Sequence, residues 1–296
     1  MNGRLVRALV AVAITAGMAA PPRALAQADP APWTGLLPAA VAGHLPDEAA
    51  ECPAGEQHCV EQVAAALRRH VIELGCDHNA VFARAYLLIT RAVANASATP
   101  RFFVDPGYIN HFDAAFAAEY GRQWDAHRDA RPTAPAWRIA FEAADRERVT
   151  ATGNLYLALN AHIGRDMPLI LARVGLSGTR RADQNMVNIV LYAAMRALMN
   201  ELAANYDPSL GLDGPGGADE LTLYQYVAGL RERAWRLAEQ LVAAPTPAAR
   251  ERVQARIEAE AHAAALVLRT AFTSPPGGHA AAERDRYCAA HWTAPS

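Results

Sequence analysis

The segment from Thr150 to Val174 constrains this chain more than any other. It reads TATGNLYLALNAHIGRDMPLILARV, with apolar residues on nearly every side of a helical period. A helix that is apolar all round is stable only when other elements enclose it. Placed near the middle of the sequence, it predicts an all-α fold: a single multi-helix domain packed around a central buried helix at about 150–174.

Helical periodicity continues on both sides. Val60, Val63, Leu67, Val71 and Leu74 share one face of a helix over about 56–74, and a second helix is expected over about 80–96. Asp105 before Pro106 has the form of an N-cap followed by proline at the first helical position, opening a helix that carries Phe112, Phe116 and Tyr120. Further helices are expected over about 135–148, 181–205, 221–243 and 247–272. Gly211 to Gly217 lacks the lysine and spacing of a phosphate cradle and reads as a connector, and the break at Ser274 to Gly278 precedes a short tail.

The N-terminus adds an address. Arg4 and Arg7 precede an apolar run of about 13 residues, and Ala24-Leu25-Ala26 forms a small-x-small cleavage pattern. Spanning a bilayer needs roughly 20 apolar residues, so the run predicts a cleavable signal peptide and no integral span after cleavage. The expected layout is a signal peptide over 1–26, an irregular lead-in over 27–55, and one helical domain with a C-terminal tail over 56–296. Such a chain would be secreted or held in the periplasm or cell envelope.

Charge and cysteine usage narrow the chemistry. All 28 basic residues are arginine, so Schiff-base lysines, lysine general bases and P-loops are excluded. Loss of the leader would leave 25 arginines against 30 acids, a balance that offers no footprint for nucleic acid. Four cysteines in an exported chain favour disulfides. Cys52 and Cys59 flank a short loop and form the natural local pair, which leaves Cys76 for Cys288.

One constellation could carry chemistry. His162 and Asp166 are four apart and share a face of the central helix with Leu155 and Leu159. Buried polar groups need partners, since an unpartnered neutral one costs roughly 2–7 kcal/mol. Pro168 removes an N–H and disturbs the helix beside them. Three readings stand: a structural network in which an arginine neutralises Asp166, a divalent-metal site such as zinc, and metal-free acid–base catalysis with His162 as base. Asp183 and Asp113 are the further metal ligands expected, with His111 and Glu142 behind them, and Asn160, Arg165 and Asn188 are candidate binding residues. His58, His70, His127, His262, His279 and His291 have polar neighbours and read as surface residues.

The run Asn160-Ala161-His162-Ile163, with Asp166 and Pro168, resembles the N-A-H-I-x-x-D-L-P signature of a bacterial family, domain of unknown function 5995, with Met167 in place of leucine. Phe82 to Tyr86, Phe112 to Phe116 with Tyr120, Pro135-Ala136-Trp137, Asp183 with Asn188, and Arg233-Ala234-Trp235 fit its pattern, so the likeness covers about Val60 to Leu241. The resemblance implies an all-helical fold and carries no established reaction. A second likeness is to zinc phospholipase C and P1-type nucleases, which are helical, exported and use H-x-x-x-D metal pairs. Ile170 stands where their next histidine would be. Two functions follow as expectations: a metal-dependent hydrolase working through His162 and Asp166, or a non-catalytic helical binding or envelope protein in which that cluster is structural. A small-molecule or lipid ligand is the partner expected.

Overall fold

Short polar residues cap the start of four of the helices. The computed structural model describes residues 31–45, 51–211, 218–274 and 279–296, so the expected leader lies outside the described residues. Asp105 accepts the N–H of Tyr108 at the start of a helix, Thr150 that of Gly153, Ser177 that of Arg180 and Thr246 that of Ala249. Each such cap satisfies an N–H that the helix itself leaves unpaired, worth about 1 kcal/mol.

The order is α1 (Gln57–Leu74), α2 (Ala80–Ala98), α3 (Pro106–Arg128), α4 (Pro135–Asp145), α5 (Ala151–Leu159), a π-helical segment (Asn160–Asp166), α6 (Met167–Val174), α7 (Gly178–Asn205), α8 (Ala218–Val242), α9 (Pro247–Ala271) and α10 (His279–His291). Among the described residues there is no strand, only the isolated bridges Gly43–Leu176 and Val149–Thr273. The protein is all-α, and Ala31–Ser296 forms one compact unit. No helix among the described residues is long and apolar enough to cross a membrane.

The central rod is α5, the π segment and α6 in succession. Leu155, Leu157, Ala161, Met167, Ile170 and Leu171 are each at most 2% exposed, because α3, α4, α8 and α9 enclose the rod. The expected single α-helix over 150–174 is therefore interrupted. Over Asn160–Asp166 the bonds shift register, and the N–H of Met167 donates to the carbonyl of His162, five residues back. A π turn widens the backbone by one extra residue and is frequent at functional sites. Pro168 has no N–H to donate in either register, so the change falls where the α ladder is already weakest.

The C-terminal part also differs from expectation. In place of a tail, α10 docks on the body through the Cys76–Cys288 disulfide, a 2.9 Å bond between His78 Nε2 and Asp285, and a 2.8 Å bond from Arg284 to Asn154. The sequence signal was weak because this helix is polar on most sides and its lengthwise pattern is faint. A second disulfide joins Cys52 to Cys59 beside the start of α1. The described lead-in, residues 31–45, is irregular apart from one 3₁₀ turn, Pro32–Gly35. It lies along α8, where Glu239 accepts the N–H of Ala40 at 2.6 Å.

Candidate functional site

His162 stands on the π segment and is 3% exposed. Its ring stacks on Phe116 of α3, with centroids 3.5 Å apart and planes within 8°. Tyr86 and Phe82 of α2 meet it edge-on at 4.6 and 5.5 Å. Burial pushes the imidazole pKa down, against the opposing pull of the Asp166 and Glu119 carboxylates. The ring is therefore neutral at neutral pH. Neither of its nitrogens has a hydrogen-bond partner: Nδ1 stands 3.6 Å from Asp166 Oδ2, just beyond bonding distance.

Asp166 is fully buried and fully engaged. Trp137 Nε1 donates to Oδ2 and Arg165 Nη1 to Oδ1, both at 2.8 Å. Arg165 also meets Glu119 at 2.6 Å and Glu258 at 2.7 Å, so its charge is shared among three carboxylates. Those carboxylates outweigh burial and raise the guanidinium pKa further. The arginine expected to neutralise Asp166 is thus its own neighbour in sequence. Asn160 turns away and donates to the carbonyl of Ala261 on α9 at 2.8 Å.

The expected convergence on one ion does not occur. Asp183, on α7, accepts the N–H groups of Val104 and Asp105, both at 2.8 Å. It holds the turn that opens α3, a task that a fully buried carboxylate near a chain reversal performs by accepting two otherwise orphaned donors. Asp113, from α3, is buried with no partner at Oδ2. Among the described residues, the side-chain groups close enough to share an ion are Cys52/Glu56/Cys59 and His78/Glu147/Asp285, and His162, Asp166, Asp183 and Asp113 do not form one. In the first group the two sulfurs are already bonded to each other. In the second, His78 and Asp285 dock α10. His111 and Glu142, the reserve ligands, belong to neither group.

What His162 and Asp113 do share is a cavity. It has a volume of about 110 Å³ and lies between α2, α3, α5, the π segment, α7 and α8. Its walls are almost wholly apolar, with Ile89, Val187, Leu191, Met195, Leu223 and Val227 among them. Four polar side chains reach it: His162, Tyr86, Asp113 and Arg231. The hydroxyl of Tyr86, like both His162 nitrogens and Oδ2 of Asp113, is buried without a partner. Burial raises the Asp113 pKa from 3.8 to about 7 and pushes the Tyr86 hydroxyl well above 10. Near neutral pH the Tyr86 hydroxyl is therefore a protonated donor, and Asp113 is in the middle of its titration and protonated below it.

Sequence reasoning did not single out Tyr86 or Arg231 as site residues. Arg231 left a signal: it interrupts the apolar stripe Tyr224, Val227, Ala228, Ala234, Trp235 and Ala238 of α8, all buried. An arginine on such a stripe must be buried with it. Asn188, expected as a binding residue, is instead the acceptor for Arg231 Nε at 2.6 Å.

No curated protein and no solved structure matches the chain. Residues 60–271, well over half of the sequence and including the whole central rod, match the family described as "Family of unknown function (DUF5995)", and the chain belongs to that family.

Proposed function

We propose that this protein binds a small, mostly apolar molecule in the cavity beside the π segment, with His162 as polar anchor. The observation that carries the reading is the set of buried polar atoms without partners on an otherwise apolar wall: both His162 nitrogens, the Tyr86 hydroxyl and Asp113 Oδ2. Native proteins leave few such atoms, and each costs about 1–3 kcal/mol unless a partner arrives. A ligand with one hydrogen-bonding group would supply that partner and fill apolar space. At about 110 Å³ the cavity is near the size at which engineered apolar cavities take up benzene.

Metal-dependent hydrolysis fits these residues less well. Both Asp166 oxygens already accept hydrogen bonds, and an ion there would have to displace Trp137 and face the Arg165 guanidinium. Stoichiometric metal in the purified protein, found by elemental mass spectrometry, would restore that reading. We also propose export, with the mature chain made of the lead-in at 27–55 and the helical domain at 56–296. N-terminal sequencing of the exported product is expected to start at or near Gln27, and a membrane-bound product retaining Met1 would refute this.

The binding reading is tested with hexan-1-ol as probe. It should raise the melting temperature of the wild type, since a ligand of the folded state stabilises by mass action. Val187→Phe, which fills the cavity, should abolish the shift. No shift in the wild type, or a shift that survives in Val187→Phe, refutes it.

A further inference from the structure

Arg231 is the cation of the cavity, and its charge is not balanced. It is 7% exposed. Its Nε donates to Asn188 Oδ1 at 2.6 Å, and its Nη2 donates to Gln184 Oε1 at 2.6 Å and to the Gln184 carbonyl at 3.0 Å. Its Nη1 reaches only the sulfur of Met167, at 3.9 Å, and a thioether is a weak acceptor. All of these partners are neutral. The charged group that acts on it most is another cation, Arg181. Burial and that neighbour lower the guanidinium pKa to about 10, which leaves it charged at neutral pH.

Other buried arginines of this protein are treated differently. Arg84 pairs with Glu201 and Arg181 with Glu232. Arg284 donates to neutral Asn154, yet the carboxylates of Asp207, Asp285 and Asp77 act on it. A buried guanidinium with no anion is costly, because desolvation of the charge is not repaid by an opposite charge. Arg231 lines the apolar cavity with Nη1 short of a strong acceptor.

We infer that the ligand of this cavity is a small apolar carboxylate, its carboxylate paired with Arg231 and its hydrocarbon part lying along Val187, Leu191 and Val227. This rests on the reading that the cavity binds a ligand, and adds its chemical class. A monoanion matches the single uncompensated cation. A phosphate dianion would bring a second charge into a wall that offers no second free cation among the described residues. A fully neutral apolar ligand would leave the guanidinium as it is.

The test compares hexanoate with hexan-1-ol by isothermal titration calorimetry at pH 6.0, where the Asp113 carboxyl in the same cavity is protonated, on the wild type, Arg231→Met and Arg231→Gln. Hexanoate is expected to bind the wild type at least about tenfold more tightly than hexan-1-ol, the range for a hydrogen bond to a charged group. In Arg231→Met that preference should vanish, hexanoate binding no more tightly than hexan-1-ol. Circular dichroism reports whether Arg231→Met folds, and Arg231→Gln replaces it with the same expected outcome if it does not. Equal affinity for the two probes in the wild type, or a preference that survives in both variants, overturns the carboxylate assignment and leaves the cavity reading standing. Failure of both probes to bind the wild type overturns the cavity reading itself.

Discussion

Asp166 and Asp113 are both buried carboxylates, yet their surroundings give them opposite roles. Asp166 has Arg165 and Trp137, whereas Asp113 has no hydrogen-bond partner at Oδ2, and burial raises its pKa from 3.8 to about 7. Between about pH 4 and 7 the folded protein therefore holds a proton that the unfolded chain releases. Stability must fall as pH rises through that window and level off above it, by a few kcal/mol, on the order of 3–4. Asp113→Asn removes this dependence, so urea melts at pH 5 and pH 8 should differ less in the variant than in the wild type. An unchanged difference would mean that Asp113 is ionised in the fold. His162 and Asp166 make a second contrast. Asp166→Ala orphans part of the Arg165 charge and the Trp137 donor, and should cost about 3 kcal/mol, the low end for breaking a buried pair because Glu119 and Glu258 still hold Arg165. His162→Phe removes two unpartnered nitrogens and keeps the ring on Phe116. It should change stability by less than about 1 kcal/mol while weakening hexan-1-ol binding. A large loss of stability in His162→Phe would mark the ring as structural.

At the scale of elements, two helical glycines make opposite predictions. Gly153 lies in α5 where the end of α9 comes in. An added Cβ would sit 2.6 Å from Phe272 Cβ and 2.9 Å from Val149 Cβ. These are atoms next to the backbone that cannot swing aside, so overpacking at roughly 1–3 kcal/mol outweighs the helix-propensity gain of about 1 kcal/mol. Gly153→Ala is expected to lower stability by about 1–2 kcal/mol in chemical denaturation. Gly229 in α8 has nothing within 4 Å of an added Cβ, so Gly229→Ala keeps only the propensity term and should raise stability by about 1 kcal/mol. A stabilising Gly153→Ala would show that the α5–α9 contact is looser than described. The π segment belongs to this scale too. It places His162 against Phe116 and the cavity while keeping α5 and α6 on one rod.

For the whole molecule, the two disulfides act at different ranges. Cys76–Cys288 closes a span of 212 residues and Cys52–Cys59 one of 7. In the chain-entropy account the long loop is worth roughly 5 kcal/mol and the short one roughly half that. Replacing Cys76 and Cys288 together with alanine should therefore destabilise the protein by more than replacing Cys52 and Cys59. It should also release α10 first, seen as loss of amide-exchange protection over 279–291. Equal costs for the two pairs would argue that α10 is held by His78–Asp285 and Arg284–Asn154 rather than by the bridge.

The all-helical class, most helix bounds and the central rod were legible in the sequence, because they rest on periodicity and on a cap, Asp105, that acts within a few residues. Family membership was legible in the N-A-H-I-x-x-D motif for the same reason, since its residues are contiguous. The partners of the polar residues were not: an arginine was expected against Asp166, but that it is Arg165 came from the structure. Asp183 holds a turn on α3 some 78 residues earlier in the chain, and Asn160 bonds Ala261 across 101 residues. The α10 helix was missed because its stability comes from docking, not from its own pattern. Local spacing says which side chains share a face of one helix. Which donor meets which acceptor, and which buried cation is left without an anion, depends on how separate helices pack, and only the tertiary structure decided that.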